Sequence, residues 1–219
     1  MTEHKITYAK DISELKRIAI CHKKAFGTSL SSKLGLAFIC DMLRWYLSGP
    51  NKFLFYIANE KGCIGYCGGH ILDGQDKYGA ASGMSQFGFK SALLGILKKP
   101  WLILHPEVIS RYRFILTNIK RRLGLKKDKT LAESVPSILD EPLTAGLVVI
   151  GVLPNLQQKG LGTLLQQEFE RKAKEMGAER LQLSVRTTNT RAIESYIRNG
   201  YKIKSESSTS YIMIKDLSN

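Results

Sequence analysis

Acidic residues are scarce in this chain beside its basic ones. Nineteen Asp and Glu face 33 Lys and Arg over 219 residues, a formal net charge of +14 with a pI near 9.7. That balance favours an anionic partner such as a nucleotide-linked substrate, acidic lipid or nucleic acid, and charge alone does not choose among them. Long apolar runs are missing as well. No stretch approaches a bilayer span, and Met1 to Lys10 holds no apolar segment of signal-peptide length, so the expectation is a soluble, cytoplasmic protein with no transmembrane segment. Cysteine is sparse: Cys21, Cys40, Cys63 and Cys67 form no zinc-like pair of pairs, and no metal is expected. Cys63 and Cys67 fall in a strand-like stretch too extended for a mutual disulfide, which points to reduced thiols. What remains is ordinary globular material, 43% hydrophobic and 24% charged, of a length that suits one domain with an insertion.

The chain is organised around residues 144–176. An apolar strand from Leu147 to Val152 ends at Pro154. A polar loop, Asn155 to Lys159, leads into Gly160-Leu161-Gly162. Leu161, Leu164, Leu165, Phe169, Ala173 and Met176 then recur at helical spacing, and Gly177 stands where a left-handed cap would close the helix. A helix begins with N–H groups that have no partner inside it, and those donors and the helix dipole favour an anion. Gly160 and Gly162 carry no Cβ, so a phosphate could approach the backbone closely, with Lys159 as a nearby cation.

Spacing separates the kinds of phosphate loop. The Walker pattern GxxxxGK[ST] is absent. A Rossmann fingerprint would need a third glycine near Leu165 and an acid at the tip of the next strand, which instead ends Arg186-Thr187-Thr188-Asn189. The residues do resemble the acyl-CoA signature of the GNAT acetyltransferases, Q/R-x-x-G-x-G/A after a strand ending V-x-P: here Val152-Leu153-Pro154, then Gln157, Gly160 and Gly162. The second half of the family pattern follows in order, with Asn189, Ala192, Tyr196, Gly200 and Tyr201 at the expected places. The resemblance covers roughly residues 144–203.

That resemblance implies the GNAT acyl-CoA N-acyltransferase fold: an α/β (α+β) architecture with a central mixed, mostly antiparallel sheet flanked by helices. It implies acetyl-CoA as cosubstrate, with main-chain donors from Gln157, Gln158, Lys159, Gly160, Leu161, Gly162 and Thr163 on the pyrophosphate. Ile150, Gly151 and Val152 would serve the carbonyl and pantetheine arm where the core strand splays from its neighbour. Asn189 would contact the cofactor, act as a helix cap, or both. Tyr196 corresponds to the tyrosine that relatives use as general acid toward the CoA sulfur; the alternative is a core tyrosine. Many relatives carry a Glu where this chain has Gly146. Three possibilities follow: another group such as Asp140, Glu141, His70 or His105 is the base, the amine arrives neutral, or catalysis is weak.

Elsewhere, Lys5 to Ala9 alternates as a first strand. Asp11, with Glu14 three residues on, opens a helix through Phe26 as a capping box. His22 lies on its apolar face and reads as a packed histidine. A second helix is expected from about Ser32 to Leu47, with Phe38, Met42, Trp45 and Tyr46 either in the core or against substrate. Strands Lys52 to Ala58 and Cys63 to Leu72 form a hairpin turning at Asn59 to Gly62. Gly65, Gly68 and Gly69 mark a bulge or a close approach to the sheet. Leu181 to Val185 is the strand after the central helix, Thr190 to Asn199 a short helix, and Tyr201 to Leu217 a closing hairpin.

Residues 73–141 read as an insertion in a single domain spanning 1–219. It holds a short helix from Ser91 to Leu97 and a longer one from Pro106, whose stripe is Val108, Ile109, Tyr112, Leu116, Ile119 and Leu123. Arg111, Arg113, Lys120, Arg121, Arg122, Lys126 and Lys127 cover its other faces. They form a solvated basic face, or hold the phosphates of a nucleotide-linked sugar, or rest on anionic lipid as a peripheral membrane contact. A lysine- and arginine-rich helical insertion here also resembles GNAT proteins of bacterial polysaccharide and amino-sugar biosynthesis. The function expected is acetyl transfer by direct attack to the primary amine of a small molecule, an amino sugar or nucleotide amino sugar being the specific form, by a monomer or homodimer. Protein or peptide N-acetylation and a non-catalytic CoA-binding domain are the alternatives. Nucleic acid is not expected as a partner, because the basic residues carry no recognition motif or aromatic platform.

Overall fold

A computed structural model describes residues 5–72, 79–110, 112–122 and 142–217. They belong to two compact units, one from the segments Met1–Ala9, Tyr46–Gln75 and Glu141–Asn219, the other from Lys10–Trp45 and Asp76–Asp140.

The first unit is built on a seven-stranded sheet. Its strands are β1 (Ile6–Tyr8), β2 (Lys52–Asn59), β3 (Gly62–Leu72), β4 (Thr144–Val152), β5 (Arg180–Arg186), β6 (Lys202–Glu206) and β7 (Ser210–Asp216), in spatial order β1-β2-β3-β4-β5-β7-β6. Every neighbouring pair is antiparallel except β4 with β5. A parallel pair needs a long crossover, and between β4 and β5 it is the central helix over Leu161–Glu175. The left-handed cap expected at Gly177 is present and takes the Schellman form: φ is +84°, Ala178 N–H donates to the Ala173 carbonyl at 3.0 Å, and Gly177 N–H to that of Lys174 at 2.9 Å.

Period-two alternation in the strands and the 3.6-residue stripe of the central helix meet in one core. Phe53, Phe55 and Ile57 from β2 and Leu181, Leu183 and Val185 from β5 cluster with Leu161, Leu165, Phe169 and Ala173 of the helix. Close approach explains the β3 glycines. A Cβ on Gly69 would stand 2.4 Å from the Phe169 ring, and one on Gly68 2.6 Å from the Tyr46 ring. The register shift between them confirms a bulge. What approaches the sheet at these glycines is the protein's own aromatic rings.

The second unit is helical: α1 (Ile12–Ala25), α2 (Leu30–Leu34), α3 (Leu36–Leu43), α4 (Gly79–Phe87), α5 (Phe89–Lys98), α6 (Pro106–Ser110) and α7 (Tyr112–Arg122). The helices of the first unit continue the numbering as α8 (Leu161–Glu175) and α9 (Thr190–Arg198). The Asp11 side chain accepts from Ser13 and Glu14 N–H, and Glu14 returns the bond, so the capping box holds. His22 is buried with Nε2 2.8 Å from Ser31 Oγ, and burial pulls its pKa down to about 4.

One helix departs from the sequence expectation. The single helix over residues 32–47 is divided at Gly35, whose φ of +108° no right-handed helix accommodates, and ends in a 3-10 turn at Arg44–Leu47. Trp45 and Tyr46 are buried. The helix expected from Pro106 is helical over Pro106–Ser110 and Tyr112–Arg122, and residue 111 between them lies outside the described residues, as do Leu123, Lys126, Lys127, Asp140 and Glu141. None of the four cysteines is in a disulfide.

Candidate active site

The sheet opens beside its parallel pair. β4 and β5 are paired from Thr144↔Arg180 to Leu147↔Leu183, yet β4 runs on to Val152 and β5 to Arg186. Past Leu147 the two strands part, while β3 stays with β4 and β7 with β5. Antiparallel partners alternate between pairs that exchange both hydrogen bonds and pairs that exchange none. Leu153 N–H donates to the Ile64 carbonyl at 3.0 Å, which sets the phase. Gly151, opposite Tyr66, is therefore engaged with β3, whereas Ile150 and Val152, opposite Cys67 and Gly65, turn their N–H groups toward the side β5 has left.

The loop after β4 closes one end of this opening. A 3-10 turn at Pro154–Leu156 is followed by Gln157, whose Nε2 donates to the Val152 carbonyl at 3.2 Å and whose Oε1 accepts from Arg191 at 2.6 Å. Gln157 thus fastens the loop to the edge of β4 and to the start of α9. Gln158 has φ +63° and Gly160 φ +80°, two left-handed residues in three, in a loop where Lys159 is exposed. Such alternation aims successive N–H groups to one side, an arrangement that cradles anions. A non-glycine residue in that region carries backbone strain and marks a site where geometry matters more than stability.

At the start of α8 no side chain caps the helix. The first intrahelical bond is Leu164 N–H to the Gly160 carbonyl at 3.0 Å, so Leu161, Gly162 and Thr163 present N–H groups with no acceptor within the helix. A Cβ built on Gly160 or Gly162 meets nothing within 4 Å. Neither glycine is there to make room for the protein itself, unlike Gly68 and Gly69. An uncapped helix start with open space at its backbone suits a diphosphate, and the β4 edge suits the amide-rich arm and thioester carbonyl of an acyl donor. These features fit acetyl-CoA.

Tyr196 of α9 is buried in the sheet core, its ring edge-on to Tyr201 at 5.6 Å between centroids. Burial, helped by the neighbouring Cys67 thiol, raises its pKa, so the phenol stays protonated at any physiological pH. Asn189 is exposed and accepts from Ala192 N–H at 3.4 Å, the cap expected of it.

At the position of the usual carboxylate, His70 fills the space over Gly146. A Cβ there would stand 3.1 Å from His70 Cε1, and the two residues are paired across β3 and β4. His70 is buried, 4% exposed. His105 is engaged elsewhere in the helical unit, with Nε2 3.2 Å from the Thr28 carbonyl and Nδ1 accepting from Glu107 N–H at 3.3 Å. Among the described residues no group of three or more His, Cys, Asp or Glu could hold a metal.

Sequence reasoning missed Arg191 and Cys67. Arg191 carried a legible signal, since a cation in the first turn of a helix opposes the dipole and asks for a reason. Cys67 carried none, because its proximity to Tyr196 exists only once β3 and α9 are folded together.

Residues 91–201 match the model of the Acetyltransferase (GNAT) family. Comparison with curated proteins returns no match. Among solved structures, the chain is similar to the PaiA N-acetyltransferase of Thermoplasma acidophilum in complex with coenzyme A, at TM-score 0.55 and 13% identity over 99% of this chain and 100% of that one. It is similar to Chaetomium thermophilum Naa20 in complex with a bisubstrate analogue, at TM-score 0.54 and 19% identity over 97% and 86%. It is likewise similar to the ribosomal-protein-S18-alanine N-acetyltransferase of Escherichia coli, at TM-score 0.54 and 14% identity over 99% and 96%. At these identities the likeness concerns the fold.

Proposed function

Since the chain belongs to the GNAT acetyltransferase family, and is an N-acetyltransferase that uses acetyl-CoA, we propose that it acetylates the primary amine of a small molecule, an amino sugar or nucleotide amino sugar, by direct attack. The observation that carries the reading is the uncapped start of α8 lying next in sequence to the freed edge of β4. The net charge of +14 supports an acceptor that itself carries phosphate.

Direct transfer asks little of the protein: a placed amine, donors for the oxyanion, and a hydrogen bond for the departing sulfur. In this reading Leu161, Gly162 and Thr163 N–H hold the diphosphate, with Lys159 and Arg191 as flanking cations. Val152 N–H, at the end of β4, polarises the carbonyl, and Ile150 N–H holds the pantetheine arm. Tyr196 donates to the sulfur. A phenol whose pKa is raised is a weaker acid than an ordinary one, so its part is to stabilise the thiolate by a hydrogen bond more than to surrender a proton outright. His70, seated over Gly146, takes the amine proton in place of the missing carboxylate, directly or through water.

Residues 1–219 form one domain in this reading, with the basic helical insertion at about 73–141. No described helix is long and apolar enough to cross a membrane. The protein works in the cytoplasm, and any membrane contact it makes is peripheral and through the insertion.

The test is thiol release from acetyl-CoA over a panel of amino sugars, nucleotide amino sugars, polyamines and peptides with free N-termini. Turnover confined to the sugars is the expected result, and turnover confined to peptides overturns the acceptor assignment. His70→Gln should remove the acid limb of the pH–rate profile and lower kcat by about 100-fold while leaving acetyl-CoA binding intact. A wild-type profile with no enzyme pKa between about 5 and 8 would instead mean that the amine arrives neutral and His70 is structural.

A further inference from the structure

The helical unit wears part of its apolar surface outward. On α5, Lys90, Leu93, Leu94 and Leu97 are all exposed and fall at the i, i+3, i+4, i+7 spacing of one helix face, with Leu97 69% exposed. The other side of the helix is the one that packs: Gly95 is buried, and a Cβ there would stand 3.0 Å from Leu34. A 3-10 turn at Pro100–Leu104 follows, in which Leu102 is buried but Trp101 is 64% and Leu104 74% exposed. Ile109 of α6 and then Tyr112 and Leu116, one turn apart on α7, are exposed in the same way.

Isolated surface leucines are normal, but here exposed apolar residues recur over consecutive elements of the chain. Its charge is equally one-sided. From Gly79 to Arg122 the chain holds eight Lys and Arg, namely Lys90, Lys98, Lys99, Arg111, Arg113, Lys120, Arg121 and Arg122, and a single acid, Glu107. Lys90 shares the apolar face of α5, Lys98 follows it, and Arg113 and Lys120 are exposed on α7 beside Tyr112 and Leu116. An outward apolar face with a tryptophan, flanked by cations and almost free of anions, is the composition of a surface that lies in the interface of a negatively charged bilayer.

We propose that the described residues 90–110 and 112–120 form a peripheral docking surface for anionic phospholipid. Leu94, Leu97, Trp101 and Leu104 enter the headgroup boundary, while Lys90, Lys98, Arg113 and Lys120 meet phosphate. Charge complementarity is the reason for choosing a lipid surface over a second copy of this chain, because a copy would bring the same cations to the same face. The inference is independent of the acceptor assignment above and of which residue serves as base.

The test uses the full chain with vesicles of phosphatidylcholine alone and of phosphatidylcholine with about one-quarter phosphatidylglycerol, at about 50 and about 300 mM salt. Expected results are flotation with the anionic vesicles only, a loss of at least about tenfold at the higher salt, and a blue shift of Trp101 emission with quenching by brominated lipid. Trp45 is 2% exposed and contributes a constant background. Replacing Leu94, Leu97, Trp101 and Leu104 together by Gln should abolish flotation, and Lys90→Gln with Lys98→Gln should weaken it about tenfold or more. All of these side chains are exposed, so the variants should keep the wild-type melting temperature and the wild-type affinity for CoA. Absence of flotation at the lower salt overturns the proposal. So does sedimentation showing a wild-type dimer that the apolar variant converts to a monomer, which would assign the face to a second copy. Loss of CoA binding in the wild type would count against the catalytic reading and leave the vesicle result standing by itself.

Discussion

Gly162→Leu separates a glycine kept for a ligand from one kept for the fold. Gly162 is the second residue of α8, has no positive φ, and a Cβ there meets nothing within 4 Å. In the chain by itself the added Cβ is free of clash, and leucine is the better helix former by about 0.5–1 kcal/mol. For a domain of this size that is a rise of about 1–4 °C in Tm. If the α8 start holds a diphosphate, the new side chain stands where the anion must approach. Loss of one charge-assisted hydrogen bond costs about 1.5–3 kcal/mol, a fall of roughly tenfold to 100-fold in affinity for CoA. Differential scanning calorimetry and isothermal titration on the same preparation read both quantities. A variant that melts higher and still binds CoA as the wild type does would refute the assignment of this helix start to the ligand.

Gly69→Ala should behave in the opposite way, because its Cβ would meet Phe169 at 2.4 Å and the Gly146 carbonyl at 2.9 Å. Urea unfolding should show a loss of about 1–3 kcal/mol, and an unchanged midpoint would mean the sheet and α8 are less tightly packed than described. Tyr196→Phe should lower kcat about tenfold with little change in the KM for acetyl-CoA, and an unaltered kcat would remove the phenol from the reaction. His22 is neutral when folded, with a pKa of about 4, and ordinary near 6.5 when unfolded. The unfolded chain therefore binds the extra proton first. Stability should fall by at most about 3 kcal/mol as pH drops from 6.5 toward 4 and level off below that, and His22→Gln should remove this part of the dependence in pH-resolved melts.

How much could be read beforehand depended on how local the cause was. The capping box at Asp11 and Glu14, the Gly177 closure and the hairpin at Asn59 to Gly62 follow from neighbours a few residues apart, and all are present. The uncapped start of α8 was legible for the same reason, since Gly160 and Gly162 state it directly. The break at Gly35 was not legible, because the apolar spacing runs through it and only its φ of +108° shows that the helix is divided there. Long-range facts were not legible. That Gly68 accommodates Tyr46, that His70 fills the space over Gly146 and that Arg191 holds Gln157 depend on strand register and helix docking. The outward apolar face of α5 was hidden for a related reason: its periodicity announces a buried stripe, and only exposure in the fold shows which side was buried.

The central claim, that main-chain donors at the edge of β4 and the start of α8 hold acetyl-CoA, is tested most directly by amide nitrogen–proton spectra of labelled protein titrated with CoA. The largest shifts are predicted at Ile150, Val152, Leu161, Gly162 and Thr163, with Gly151, engaged to β3, moving less than either neighbour. Saturable binding whose shifts fall elsewhere, leaving those five amides in place, would contradict it.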